Sequence, residues 1–272
     1  MENKIFNEDC LETMKRIDDN YIQLVVTSPP YDDLRTYKRY NKGNKTKYNG
    51  FSFAFEDIAK ELFRVVKNGG VVVWVVGDAT LNGSETGSSF RQALYFKSIG
   101  FNLHDTMIYQ KTGTPFPSRV RYNQTFEYMF VFSKGKPSTF TPIMKKNITA
   151  GAVRHSRKFR NKDGEMIPSF NGKPVNEYGI DNNIWKIKNG MNKSTKDKVA
   201  FNHPAIFPEE LVDRHIKTWS NKNDIIYDPF MGSGTTAKLA ILNNRKYIGS
   251  ELVRDYYDIS IERLKNQNLK LF

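Results

Sequence analysis

Two short stretches hold residues whose types and spacing suit chemistry. The first is Thr27-Ser28-Pro29-Pro30-Tyr31, directly after the apolar run 22–26. The two prolines lack an N–H and have fixed φ, so their carbonyls point in set directions. Ser28 adds a hydroxyl that both donates and accepts, and Tyr31 adds a flat face on which a ring can stack. A planar heterocycle carrying an amino group suits this corner. On these five residues alone, a Pro-Pro turn closing a core strand is an equal reading.

The second stretch runs from Asp228 through Pro229, Phe230, Met231, Gly232, Ser233 and Gly234 to Thr235-Thr236. It has the form of a strand, a Gly-rich turn and a helix. Gly232 and Gly234 permit positive φ and let a ligand approach the backbone. Glu251 ends the next strand, roughly twenty residues on, where a carboxylate takes both hydroxyls of a ribose. That combination implies a nucleoside. The loop is neither Gly-x-Gly-x-x-Gly nor a P-loop, and Asp228 repels phosphate, so pyrophosphate is not indicated. A nucleoside with an amino-acid-like tail fits better. The plainer reading is a tight turn of any α/β protein.

These stretches need a scaffold. Residues 4–7 read as a strand, Leu11, Met14 and Ile17 share a helical face, and 22–27 is a buried β-branched strand. Phe55, Ile58, Ala59, Leu62, Phe63 and Val66 sit at helical spacing, with Gly69-Gly70 expected to end that helix. The continuous apolar run 71–76 suits a strand covered on both faces. A helix through Phe90, Ala93, Leu94, Phe96 and Ile99 follows, then strands near 103–110 and 126–132 that could pair antiparallel. Pro208-Glu209-Glu210 opens a helix with the inner stripe Leu211, Val212, His215, Ile216 and Trp219. Strand 224–228, helix 235–243, strand 247–251 and a last helix carrying Tyr256, Ile259, Ile261 and Leu264 complete the chain. Such alternation predicts an α/β fold with a mostly parallel sheet and right-handed crossovers. Open sheets of this kind place ligands at the carboxyl ends of their strands.

The chain has 272 residues and a formal net charge of +13, which implies a polyanionic partner. Residues 134–200 hold 15 Lys/Arg against 5 Asp/Glu, interleaved with Phe140, Phe159, Phe170, Tyr178 and Trp185. This reads as an inserted basic module making phosphate contacts. Residues 32–50 form a second basic, aromatic loop able to close over a phosphate backbone; a solvated loop is as good a reading. Cys10 is the single cysteine, so an internal disulfide and a cysteine zinc site are excluded. The four histidines have no metal spacing. With no signal-peptide pattern and no membrane-length apolar run, a cytoplasmic setting is expected.

The two stretches together resemble the amino-methylating (N4-cytosine/N6-adenine) DNA methyltransferases that use S-adenosylmethionine. The order, catalytic motif first, then target recognition, then cofactor motif, is similar to the β group of that family. Asn7-Glu8-Asp9-Cys10 and Gln23-Leu24-Val25-Val26 also resemble that group's N-terminus. The match covers nearly the whole chain except roughly 134–200. The resemblance implies a Rossmann-like methyltransferase core in circularly permuted motif order, with 1–133 as its catalytic part, 134–200 as the target-recognition region and 201–272 as its cofactor-binding part.

By the same resemblance Ser28, Pro29, Pro30 and Tyr31 bind a base flipped out of double-stranded DNA. Asp228, Phe230, Gly232 and Gly234 line the methionine end of the cofactor, Glu251 holds its ribose, and Asp9 and Cys10 face its adenine. Residues 203–208 wall the methionine moiety, and Phe126-Glu127-Tyr128 lies near the target base. Serine at position 28 leans the target toward N4-cytosine over N6-adenine. A restriction-modification system with a cognate endonuclease, and a homodimer, are partners the resemblance leaves open. An RNA methyltransferase, a small-amine methyltransferase and a non-catalytic nucleic-acid binder are the rival readings.

Overall fold

A computed structural model of the chain describes residues 1–30, 37–38, 47–48, 54–113, 119–153, 158–168 and 173–268. It separates into two compact units, one of residues 1–141 with 183–272 and one of residues 142–182.

The first unit is built on an eight-stranded sheet. We number its strands β1 (Lys4–Phe6), β2 (Ile22–Thr27), β3 (Val66–Val76), β4 (Asn102–Lys111), β5 (Phe126–Ser133), β6 (Ile184–Ile187), β7 (Ile225–Asp228) and β8 (Lys246–Ser250). Their spatial order is β1-β8-β7-β2-β3-β5-β4-β6. Only β5 runs antiparallel to its neighbours, so the expected mostly parallel sheet is present. Helices α1 (Cys10–Lys15), α2 (Phe55–Val65) and α3 (Ser88–Ser98) pack in succession, as do α4 (Glu209–Trp219), α5 (Thr235–Leu242) and α6 (Arg254–Asn268). Strand β3 touches both sets, α2 on one side and α4 on the other. That double cover explains why residues 71–76 are apolar without alternation and all buried. Ile58, Ala59, Leu62 and Val65 are the buried stripe of α2, at the spacing of one helix face.

The carboxyl ends of β1, β8, β7, β2, β3, β4 and β6 lie on one edge, joined there by the amino end of β5. The chain leaves β7 toward β8 and leaves β2 toward β3, in opposite directions. The gap between β7 and β2 is therefore the switch point where open sheets bind ligands. Strand β1 pairs with β8 (Ile5 opposite Gly249), which brings residues 4–6 beside residues 248–250.

Three local expectations change. Helix α2 ends at Val65, not at Gly69-Gly70. Val66 turns extended and starts β3, while the Lys134 ammonium donates to the carbonyls of Phe63 and Val66 and closes the helix end. In α3, Leu94 and Phe90 face outward, and the buried face is Ser89, Gln92, Ala93 and Phe96, with Gln92 accepting from the Trp74 indole at 2.8 Å. The compact second unit is narrower than the basic stretch 134–200, because Ile184-Trp185-Lys186-Ile187 pairs with β4 as the last strand of the main sheet.

That second unit, 142–182, consists of short ladders, Met144–Lys146 with Tyr178–Ile180 and Lys158–Arg160 with Met166–Pro168. The Asn161 side chain accepts from the N–H groups of Asp163 and Glu165 and so shapes the turn of the second ladder. Of the basic loop 32–50, only the pairing of 37–38 with 47–48 falls within the described residues. Among the described residues no helix is long and apolar enough to cross a membrane, and no cluster of His, Cys, Asp or Glu could hold a metal ion.

Candidate active site

The exits of β2 and β7 are tied to each other. Thr27 at the end of β2 donates its hydroxyl to Asp228 Oδ1 at 2.7 Å, and Thr236 at the start of α5 donates to Asp228 Oδ2 at 2.7 Å. The N–H of Phe230 adds a third bond to Oδ1 at 3.0 Å. Burial pushes the Asp228 carboxyl up to about 6, against the pull of these three donors. Asp228 lines the cavity and joins the two motifs, with Oδ1 taking two of these donors and Oδ2 one.

Glu251, just past β8, accepts from the Gly232 N–H through Oε2 and from the Val253 N–H through Oε1, each at 2.8 Å. Burial pushes its carboxyl up to about 7. Each oxygen keeps a further lone pair for a ligand hydroxyl. Gly232 has φ +53, and a Cβ there would stand 3.1 Å from His203 Nε2, so the imidazole rests directly on that backbone. His203 in turn packs edge-on to Tyr256, with ring centroids 4.3 Å apart. Asp9 caps α1, its Oδ1 accepting from the Leu11 N–H at 2.8 Å, and Cys10 is buried beneath.

One cavity of about 860 Å³ runs along this edge. Asp9, Cys10, Ser28, Pro29, Pro30, Asp228, Phe230, Gly232 and Glu251 all line it, together with 203–208. Two of the sequence-predicted site residues are not there. Gly234 instead forms the N-cap of α5 at φ +80, with Ser260 filling the space where a Cβ would go. Tyr31 lies outside the described residues. At the end formed by β1, β7 and β8 the lining carries Glu8, Asp9, Asp228 and Glu251, and among the described residues the one Lys or Arg of the lining is Lys111. A phosphate is disfavoured by such a wall, and a cation is favoured.

A sequence profile of the DNA methylase family matches residues 22–262. This chain belongs to that family. It is 58% identical over 254 residues to the orphan methyltransferase M.BamHII of Bacillus amyloliquefaciens, covering 93% of this chain and 92% of that protein. Its fold is similar to that of the PvuII DNA methyltransferase (cytosine-N4-specific), with TM-score 0.67 at 22% identity over 96% of this chain and 85% of the other. It is also similar to the Thermus thermophilus protein TTHA0409 complexed with S-adenosyl-L-methionine, with TM-score 0.61 at 21% identity over 97% and 93% of the two chains.

This DNA methylase is thus an amino-methylating DNA methyltransferase that uses S-adenosylmethionine. The cavity fits that donor, because an acid-rich wall suits its sulfonium and ammonium. Behind the loop 229–234 lies a group of side chains that the sequence patterns did not mark. Arg263 of α6 is fully buried and donates to Ser233 O, Thr235 Oγ1, Thr195 Oγ1, Asp197 and Glu209. Lys238 of α5 bonds the same two carboxylates, at 2.8 Å to Asp197 and 2.7 Å to Glu209. Burial works against the Asp197 charge, but Arg263 and Lys238 hold its carboxyl below the usual range. The available signal was spacing: Arg263 stands on the face of Tyr256, Ser260 and Leu264, where a charge needs a partner.

Proposed function

We propose that this DNA methylase moves the methyl group to the N4 amino group of a cytosine flipped out of double-stranded DNA. The observation that carries the reading is that Ser28, Pro29 and Pro30 share one cavity with Asp228, Gly232 and Glu251, across the β2–β7 switch point. Serine at the first catalytic position favours cytosine, as does the fold likeness to a methyltransferase described as cytosine-N4-specific.

The amino nitrogen of a base is a poor nucleophile because its lone pair is delocalised into the ring. Hydrogen bonds from its two N–H groups to the Ser28 hydroxyl and the Pro29 carbonyl turn it toward a tetrahedral, nucleophilic geometry. Tyr31 stacks on the base. Bound S-adenosylmethionine supplies an activated methyl on a sulfonium. Glu251 accepts from the ribose hydroxyls, Asp9 and Cys10 face the adenine, and Phe230 and Gly232 line the methionine end. Asp228 lines the cavity beside them and ties the loop to β2, and Gly234 starts α5 behind it. The basic unit 142–182 serves target recognition, with the motif order of the β group. The orphan description of the Bacillus amyloliquefaciens relative favours a solitary enzyme over one paired with an endonuclease.

The test is to incubate the protein with tritiated S-adenosylmethionine and either duplex DNA, RNA or a small amine, then digest labelled DNA to nucleosides. Label in N4-methylcytosine is expected. Label in N6-methyladenine would overturn the choice of base, and label in RNA or the amine alone would overturn DNA as the substrate.

A further inference from the structure

We propose that Lys111, held by Glu127, is a base-reading residue of this DNA methylase that donates to the N3 and O2 edge of the flipped cytosine. The inference rests on the N4-cytosine reading above. Strand β4 ends at Lys111, and Tyr109 of β4 pairs with Glu127 at the start of β5. The Lys111 ammonium and the Glu127 carboxylate lie 2.6 Å apart, with side chains only 22% and 12% exposed. Both line the cavity that holds Ser28, Pro29 and Pro30. An ion pair withdrawn from water is weak evidence for stability, so its place in the cavity wall calls for a ligand-facing reason.

Strand spacing supplies the direction. With about 4.8 Å between neighbours, β5 stands roughly 10 Å from β2 along the edge. Between them, at the exit of β3, Gly77 has no side chain, and the nearest atom to a Cβ built there is Glu127 Cγ at 3.5 Å. A base anchored by its amino group at Ser28 and Pro29 extends its remaining edge across that gap toward β5 and β4. On cytosine that edge carries N3 and then O2, both acceptors. On adenine it carries N1 and then a C–H. Thymine has no amino group for the corner and turns an N–H toward the cation. A lysine ammonium has three donors. One is spent on Glu127, which leaves two for the two cytosine acceptors.

The experiment crosses a protein change with a base change. Duplex oligonucleotides carry the site mapped from DNA methylated by the wild-type protein, with the target cytosine kept or replaced by the 2-aminopyridine C-nucleoside. That analogue keeps the amino group and the ring nitrogen but has C–H in place of the O2 carbonyl. The wild type is expected to lose about 10–100-fold in kcat/KM on the analogue, the size of a good base contact. Lys111→Gln is expected to lose a similar factor on cytosine but little more on the analogue, Lys111→Arg to recover most of the cytosine rate, and S-adenosylmethionine affinity by equilibrium dialysis to stay unchanged in both.

Equal analogue penalties in wild type and Lys111→Gln would overturn the proposal, as would a Lys111→Gln loss that only raises KM on all DNA and flattens its salt dependence, which marks a phosphate contact. Lost cofactor affinity in both variants would assign the lysine to the fold instead. Digesting the wild-type product to nucleosides separates the two levels. N6-methyladenine there would sink the cytosine reading and this contact with it, whereas N4-methylcytosine with equal penalties would sink this contact alone.

Discussion

Asp228 and Glu251 are both buried at strand ends, and burial raises both carboxyls, to about 6 and about 7 from ordinary values of 3.8 and 4.5. The folded chain therefore binds more protons than the unfolded chain across those windows, so what these groups add to stability is fullest below about pH 4 and is lost as pH rises through 6 and 7. The ligand-free protein holds ionised carboxylates at neutral pH at a cost, and a ligand that donates to them offsets it. Cofactor affinity is accordingly expected to tighten with rising pH up to about 7 and then level off, because only the ionised Glu251 is a full acceptor for ribose hydroxyls. Isothermal titration between pH 6 and 8 reads this directly, and Glu251→Gln should give a weaker and flatter profile. Tyr31→Ala should leave cofactor affinity intact and cut turnover by about 5–150-fold, the worth of one base–aromatic stack. Loss of both functions together would contradict a stacking role.

At the scale of elements, helix α6 is a brace for the loop 229–234 as well as a cover for the sheet. Its Arg263 reaches Ser233 and Thr235 on one side and Asp197 and Glu209 on the other. Removing one partner from such a network strands the remaining charges, so Arg263→Ala is expected to cost about 3–5 kcal/mol in urea unfolding. The same variant should weaken cofactor binding, although Arg263 does not line the cavity. Gly234 sits where α5 begins, at φ +80, with Ser260 Cβ 3.0 Å from the position of an added Cβ. Gly234→Ala meets both backbone strain and a packed helix, and should destabilise by roughly 1–3 kcal/mol. A melting temperature unchanged by Gly234→Ala would show that the loop can shift away from α6.

Across the whole molecule the positive charge is spread beyond the inserted unit. Residues 142–182 hold 8 Lys/Arg against 4 Asp/Glu, so much of the excess in 134–200 lies on flanking segments of the sheet unit. Lys193 and Lys196, both exposed, follow the cavity-lining residues 189–191 in the chain. DNA affinity should therefore fall steeply with salt. The double change Lys158→Ala with Arg160→Ala should lower the slope of log K against log salt by about 2, near one per phosphate contact. Cofactor affinity measured on the same samples should not move.

Much of the site was legible in the residues, because the constraints there are local. Prolines that cannot continue a ladder, glycines that allow a close approach, and a carboxylate at the next strand end mark themselves by type and spacing. The alternation of apolar runs with helical stripes was enough for a mostly parallel sheet, since those periods follow from which faces are covered. Boundaries were less legible. Helix α2 ends early because Lys134, far along the chain, supplies its cap, and residues 184–187 belong to the sheet because β4 offers them an edge. Asp228 stood out by position, and only the fold showed that Thr27 and Thr236 donate to it from the two motifs. By itself, the order of residues determined which side chains were available to the candidate site and where the strands break to present them. The tertiary structure decided which of them meet, because hydrogen bonds and ion pairs such as Thr27–Asp228, Lys111–Glu127 and Arg263–Glu209 join positions that no local spacing connects.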